Sequence, residues 1–279
     1  MRGHPTALFF SINLLLIISS FKDSSANGNV DVNDALFTGG LEFNDLSHPY
    51  DNKTVYWPGG KRFAFTKKFA GKRTDGVWYS TNEFCTAEHG GTHLDAPYHF
   101  NPDGWTVGQI PFENLITPLV IVDLSKLVNG NEEFLLQRSH MDNLFHLDTR
   151  RNYTVIFRFG WSQYYGNITK YLGAVNPNQF NLKFPGISAD VANWLVESKN
   201  LVGVGVDTPS VDAGQELKGV VHTILAGHNI FMLENLNIEK ELPSTLCSVI
   251  VMPMKIQDGT GAPCRVTAIC PKLLGQTLF

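Results

Sequence analysis

Residues 89 to 99 read His89-Gly-Gly-Thr-His93-Leu-Asp95-Ala-Pro-Tyr-His99. They place three of the chain's nine histidines and one aspartate within eleven positions. Imidazole and carboxylate together suit Zn²⁺, Mn²⁺ or Fe²⁺. A helix would not gather them, because Asp95 would point about 120° away from His89 and His93 at 3.6 residues per turn. Gly90, Gly91 and Pro97 also oppose a helix. In an extended chain positions 89, 93, 95 and 99 point to one side. The spacing therefore predicts an extended or looped segment that presents three imidazoles and one carboxylate together. The paired glycines would let the backbone approach an ion or a substrate closely. A lone histidine is usually a satisfied or surface residue, but three in phase with an aspartate are hard to explain that way. No Gly-x-Ser-x-Gly, His-Glu-x-x-His or phosphate-cradling loop competes with this stretch.

The elements that must position these residues are partly readable. Pro118 to Leu124, Thr154 to Phe159, Leu201 to Val206, Cys247 to Met254 and Cys264 to Ile269 are apolar runs rich in Val, Ile and Phe. Turn residues bound them, so they read as buried strands. A helix is expected from Ser188, a capping residue, with Asp190 in its first turn and Val191, Trp194 and Leu195 on one face. A second is expected within Gly219 to Gly227. Gly203-Val-Gly205 lacks the third glycine of a dinucleotide loop and reads as core. Asp207, Ser210 and Asp212 are candidates for orienting ligands, although strand-end capping explains Asp207 equally well.

Of the 279 residues, 43% are hydrophobic and 17% charged, which fits a chain with a sizeable core. With 19 Phe, 8 Tyr and 5 Trp, disorder is excluded. The formal charge of −4, without a concentrated basic patch, argues against a nucleic-acid partner. Arg2, the apolar run Ala7 to Phe21 and the small residues Ser24-Ser25-Ala26 read as a secretory signal peptide. The run is short for a membrane span, and no other stretch could serve as one, so no membrane association is expected after cleavage. The expected organisation is signal peptide 1–26, loose segment 27–34 and one α/β domain over 35–279. Sequons at Asn52, Asn152 and Asn167 agree with export, giving a secreted glycoprotein. Cys85, Cys247, Cys264 and Cys270 could form disulfides. If 264–270 is one strand, its two ends lie about 20 Å apart and cannot bond each other. Each would then pair with Cys85 or Cys247, unless all four are free thiols.

The 89–99 stretch resembles the signature of the metal-dependent cyclase family, His-x-Gly-Thr-His-x-Asp-x-Pro-x-His, at all seven fixed positions. That family includes bacterial-type kynurenine formamidase and isatin hydrolase. Asp45-Leu46-Ser47, Trp57-Pro58-Gly59, Phe184 to Ser188, Gly205 to Thr208, Ser210 to Asp212 and Glu234-Asn235-Leu236 extend the resemblance over about residues 43–255. Phe159-Gly160-Trp161 resembles the family's Thr-Gly-Trp with Phe in place of Thr. The resemblance implies a mixed α and β fold, a single swivelling β/β/α domain. It implies His89, His93 and Asp95 as metal ligands, with His222 and Glu234 completing a second site that Asp95 bridges. Isatin hydrolase-type members carry Gln at the Glu234 position, so Glu234 leans toward two ions, Zn or Mn. His99 is implied as proton donor and acceptor, and Trp57 as a contact to an aromatic substrate. The implied activity is metal-dependent opening of a C–N bond in an aryl formamide or cyclic amide, in a dimer or tetramer. The alternatives are a secreted metal-cleft binding protein without turnover, and a lactonase or cyclase acting on a C–O bond.

Overall fold

In a computed structural model, residues 31–141, 151–173 and 181–272 are described. The proposed signal peptide lies outside the described residues. Within residues 1–41, Asp31 caps a short helix, α1 (Val32–Phe37), by accepting the Asn33 and Asp34 amides at 2.8 and 3.3 Å. Residues 32–34, expected to be loose, are therefore helical, because Asp31 satisfies amides that a first turn leaves without partners.

Residues 42–279 form a second, compact unit. Its main sheet contains β1 (Leu41–Asp45), β4 (His93–Asp95), β5 (Ile116–Asp123), β7 (Tyr153–Arg158), β9 (Leu201–Val206), β10 (Phe231–Glu234), β11 (Cys247–Pro253) and β12 (Gly261–Pro271). The order is β1-β12-β11-β5-β7-β9-β10-β4. β4 also pairs with the start of β12, so the sheet closes on itself as a barrel. β5, β7, β9 and β10 run parallel, and the pairings β10–β4, β4–β12, β12–β11 and β11–β5 are antiparallel. Two smaller sheets pair β2 (Ala64–Lys72) with β3 (Trp78–Cys85), and β6 (Leu135–Leu136) with β8 (Gly186–Ile187).

The closed sheet explains why the predicted parallel strands β5, β7 and β9 read as apolar runs. Leu119 and Ile121 of β5 join one buried cluster with Ile156, Leu233, Val249 and Val266. Their neighbours Val120 and Val122 join another, with Val155, Phe157 and Val204. That second cluster takes in side chains of α3 (Ile168–Leu172), α4 (Ala189–Val196) and α5 (Val220–Ala226), whereas α2 (Ser125–Val128) adds Val128. Parallel strands with helices on one face and barrel interior on the other bury both faces. All five predicted strands and both predicted helices are present. Ser188 precedes α4, but its hydroxyl bonds the Leu136 carbonyl and the Asp190 carboxylate and caps no amide.

The register Ser248↔Ile269 sets Cys247 opposite Cys270, with Cα atoms 4.2 Å apart and a disulfide between them. The other pairing, Cys85 with Cys264, is not made: Cys85 is exposed on β3, Cys264 is buried in β12, and both are free thiols.

Candidate metal centre

The metal-type side chains lie around β4, a strand of three residues, and are not on one extended chain. Only His93 and Asp95 share a strand face. His89 arrives through a turn at Gly91, whose φ of +58° suits glycine. A Cβ at Gly91 would lie 2.8 Å from the Tyr50 ring, and one at Gly90 would lie 2.1 Å from that of Tyr56. His99 ends a single 3-10 turn that begins at Pro97. The 89–99 segment, expected to be extended or looped, is extended in its middle and looped at both ends. Pro97 lacks an N–H for a ladder and starts the turn. Across β4, Glu234 pairs directly with His93 from the carboxyl end of β10. His222 enters from the first turn of α5. His89, His93, Asp95, His99, His222, Glu234 and Trp57 all line one cavity of about 320 Å³.

Hydrogen bonds fix which nitrogen each imidazole turns inward. His93 Nδ1 lies 2.9 Å from the Gly91 carbonyl, an acceptor, so this nitrogen carries the proton. Its Nε2 then presents a lone pair at 3.1 Å from Asp95 Oδ1 and 3.5 Å from Glu234 Oε2, buried and without a hydrogen-bond partner. His222 Nδ1 donates to Asp212 Oδ2 at 2.6 Å, leaving its Nε2 at 3.2 Å from Asp95 Oδ2 and 3.1 Å from Glu234 Oε1. The Thr260 hydroxyl donates to Glu88 Oε2 at 2.6 Å, so it accepts from His89 Nε2 at 2.8 Å. His89 Nδ1 therefore faces Asp95 Oδ1, at 2.6 Å, with its lone pair. Three lone pairs aimed at two buried carboxylates repel them unless a cation lies between, and this donor set fits one or more divalent ions. Two clusters have mutually close donor atoms: His93, Asp95 and Glu234, and His89, Asp95 and His99.

Where no ion lies between rings and carboxylates, the carboxylates favour a proton on the rings in its place. Burial pulls His93 down, but Asp95 and Glu234 outweigh it and raise its pKa to about 9. His222 is opposed by burial yet held well above its usual value by Asp212, Asp95 and Glu234. Burial works against the Asp95 carboxylate, but His89, His93 and His222 keep it well below the usual range. The cluster favours positive charge on whatever fills it. His99 differs: burial, then the neighbouring imidazoles, lower its pKa to about 4 despite Asp95. Its ring stacks on His89 at 3.9 Å and meets Phe100 edge-on. It is a neutral base at pH 7, beside the cluster.

The aspartates divide by role. Asp212 bonds His222 and also the Val221 and His222 amides, so it holds the ligand and the α5 terminus together. Asp207 touches no ligand. Its carboxylate accepts the Phe159, Trp161 and Ser162 amides at 2.7, 2.7 and 3.2 Å, pinning the Phe159-Gly160-Trp161 turn to the end of β9. Sequence reasoning missed Glu88 and Thr260, which lie 172 positions apart and meet only through β12 closing on β4. Trp57, partly exposed, forms part of the cavity wall and meets Phe184 edge-on. Phe100, Val55 and Leu217 add apolar surface.

The comparisons with known proteins agree with this geometry. The Cyclase family ("Putative cyclase") matches residues 44–213. Isatin hydrolase of Roseibium aggregatum is 31% identical over 210 residues, covering 71% of this chain and 78% of that protein. Kynurenine formamidase of Bacillus mycoides is 28% identical over 222 residues, covering 79% and 94%. The structure of isatin hydrolase A from Ralstonia solanacearum superposes with a TM-score of 0.76 at 27% identity, covering 88% of this chain and all of that one. With the match spanning His89, His93, Asp95 and the strands β4, β5, β7 and β9, more than half of its length, this chain belongs to the Cyclase family.

Proposed function

We propose that the protein is a metal-dependent hydrolase that opens a C–N bond in a small aromatic amide, an aryl formamide or a lactam. The observation that carries this reading is the convergence of three imidazole lone pairs on Asp95 and Glu234, with neutral His99 alongside. His89, His93, Asp95, His222 and Glu234 would hold Zn or Mn. The two carboxylates and the separate oxygens of Asp95 that meet His93 and His222 favour two ions. Bound there, the metal supplies Lewis-acid polarisation of a carbonyl and of water. His99, neutral at pH 7, takes a proton and returns it to the leaving nitrogen. Trp57 and Phe100 flank an aromatic ring and exclude water from it. Relatives named for isatin and for a kynurenine formamide support the substrate class.

The test is turnover of isatin, an aryl formamide and an aryl lactone by metal-loaded protein. Hydrolysis of either amide supports the reading. Hydrolysis of the lactone alone moves the assignment to C–O bonds. Tight binding without turnover of any of the three makes the protein a cleft binder. The cluster His89, Asp95 and His99 brings His99 within ligand range, so metal content must be checked alongside every His99 variant.

We also propose secretion, with cleavage after Ala26. The exposed sequon residues Asn52, Asn152 and Asn167 and the Cys247–Cys270 disulfide support it. N-terminal sequencing of protein recovered from the medium of a eukaryotic culture should begin at Asn27. Retention inside the cell with Met1 intact contradicts this.

A further inference from the structure

The cavity that holds the metal cluster carries one charge that the cluster does not use. Lys218 is the only lysine or arginine among the described residues that line it. Lys67, Arg73, Arg158, Lys183, Lys240 and Arg265 all form ion pairs, and Lys218 forms none among the described residues. The carboxylates of the cavity are engaged elsewhere. Asp95 and Glu234 face the imidazoles, Asp212 holds His222, and Glu216 Oε1 accepts the Lys218 backbone amide at 2.7 Å. An unpaired lysine is ordinary on an open surface. At the wall of a cavity lined by Val55, Trp57, Phe100 and Leu217, it stands where a bound molecule displaces water, and an ion pair made there gains strength.

The backbone fixes where that charge is rooted. Gly219, the next residue, has a φ of +63° and precedes α5. A Cβ on it would lie 2.3 Å from the Phe100 ring, so the ring packs directly on the Gly219 backbone. The centre of the same ring is 4.4 Å from that of His222 and 4.6 Å from that of His99. Phe100 therefore bridges from a metal-type imidazole and the neutral base to the root of Lys218. The four-carbon stem of a lysine carries its ammonium about 6 Å from the Cα. A substrate ring lying on Phe100 with its amide at the imidazoles thus brings a remote substituent within reach of that ammonium.

We propose that Lys218 is a specificity-determining residue that selects aromatic amides carrying an anionic substituent, a carboxylate or a sulfonate, on the ring. This selection presupposes the hydrolytic reading of the cavity and adds the charge of the preferred substrate. Lys218 meets a group remote from the scissile bond, so its effect falls on KM more than on kcat. The Glu216 carboxylate, on the same wall, weakens the attraction.

Steady-state kinetics of metal-loaded protein test this with matched pairs: isatin sulfonate against isatin sulfonamide, and para-formamidobenzoate against para-formamidobenzamide. The expected result is a KM about tenfold lower for the acid of a pair, a difference that shrinks as salt rises. Lys218→Met should abolish the difference, Lys218→Arg should keep it, and Glu216→Gln should widen it. Equal KM values within both pairs overturn the proposal. A preference that Lys218→Met retains also overturns it, and assigns the anion to the metal ions instead. Turnover of both members of a pair without preference removes the role of Lys218 and leaves the hydrolase standing. If no compound is turned over, calorimetric titration with isatin sulfonate decides. Tighter binding by wild type than by Lys218→Met supports the selection, and equal affinity overturns it.

Discussion

Each histidine of the cluster is defined by where its proton goes: His93 to a backbone carbonyl, His222 to Asp212, and His89 through Thr260 to Glu88. Removing the last relay without cutting the ligand is informative. Thr260→Val should weaken divalent-ion affinity about 10- to 100-fold while Thr260→Ser retains it, read by chelator competition. Equal affinity in both variants would show that His89 orients itself. His99→Ala should lower turnover by about 10² to 10⁴, measured at matched metal content. His48 gives a separate pH prediction. It is buried, stacked on Tyr165 at 3.5 Å, and its Nε2 has no partner. Burial lowers its pKa from 6.5 to about 4. The folded state therefore prefers the neutral ring. The stability it contributes is complete above pH 6.5 and is lost as pH falls toward 4, a loss of on the order of 2–3 kcal/mol. Urea titrations of wild type and His48→Gln across that window should converge as pH falls.

At the scale of elements, β7 and β9 were legible because parallel strands buried on both faces read as unbroken apolar runs, whereas β11 and β12 are antiparallel and alternate. The short strands were not legible: β4 and β10 have three and four residues, too few for a period, yet they carry His93, Asp95 and Glu234. The motif announced the ligands, but the paths of His89 and His99 depend on the Gly91 and Pro97 turns. Gly91→Ala tests that local dependence. Its positive φ and the contacts to Tyr50 and Thr54 should cost about 1–3 kcal/mol. Denaturant unfolding should show the loss, and the displaced Gly91 carbonyl should also weaken metal binding. Asp207 shows the limit of residue type as a guide: an aspartate beside a signature can serve three amides and no ligand.

For the whole molecule, closure of the sheet decides the chemistry. The β4–β12 pairing brings Glu88 to Thr260, and the β4–β10 pairing brings Glu234 to His93. Neither is visible in local sequence, because both join segments more than a hundred residues apart. The resemblance to a known family supplied His222 and Glu234 where spacing alone could not. A metal shared by β4, β10 and α5 should brace the barrel. Chelation should then lower the midpoint of thermal unfolding by several degrees, since saturation at 100 times Kd adds about 2.7 kcal/mol. The most direct test of the central claim is elemental analysis of the purified, dialysed mature protein, wild type beside Asp95→Asn. The account predicts two divalent ions per chain in the wild type and a marked loss in the variant. A folded wild-type protein that holds no divalent ion, and takes up neither Zn²⁺ nor Mn²⁺ when supplied, would contradict it.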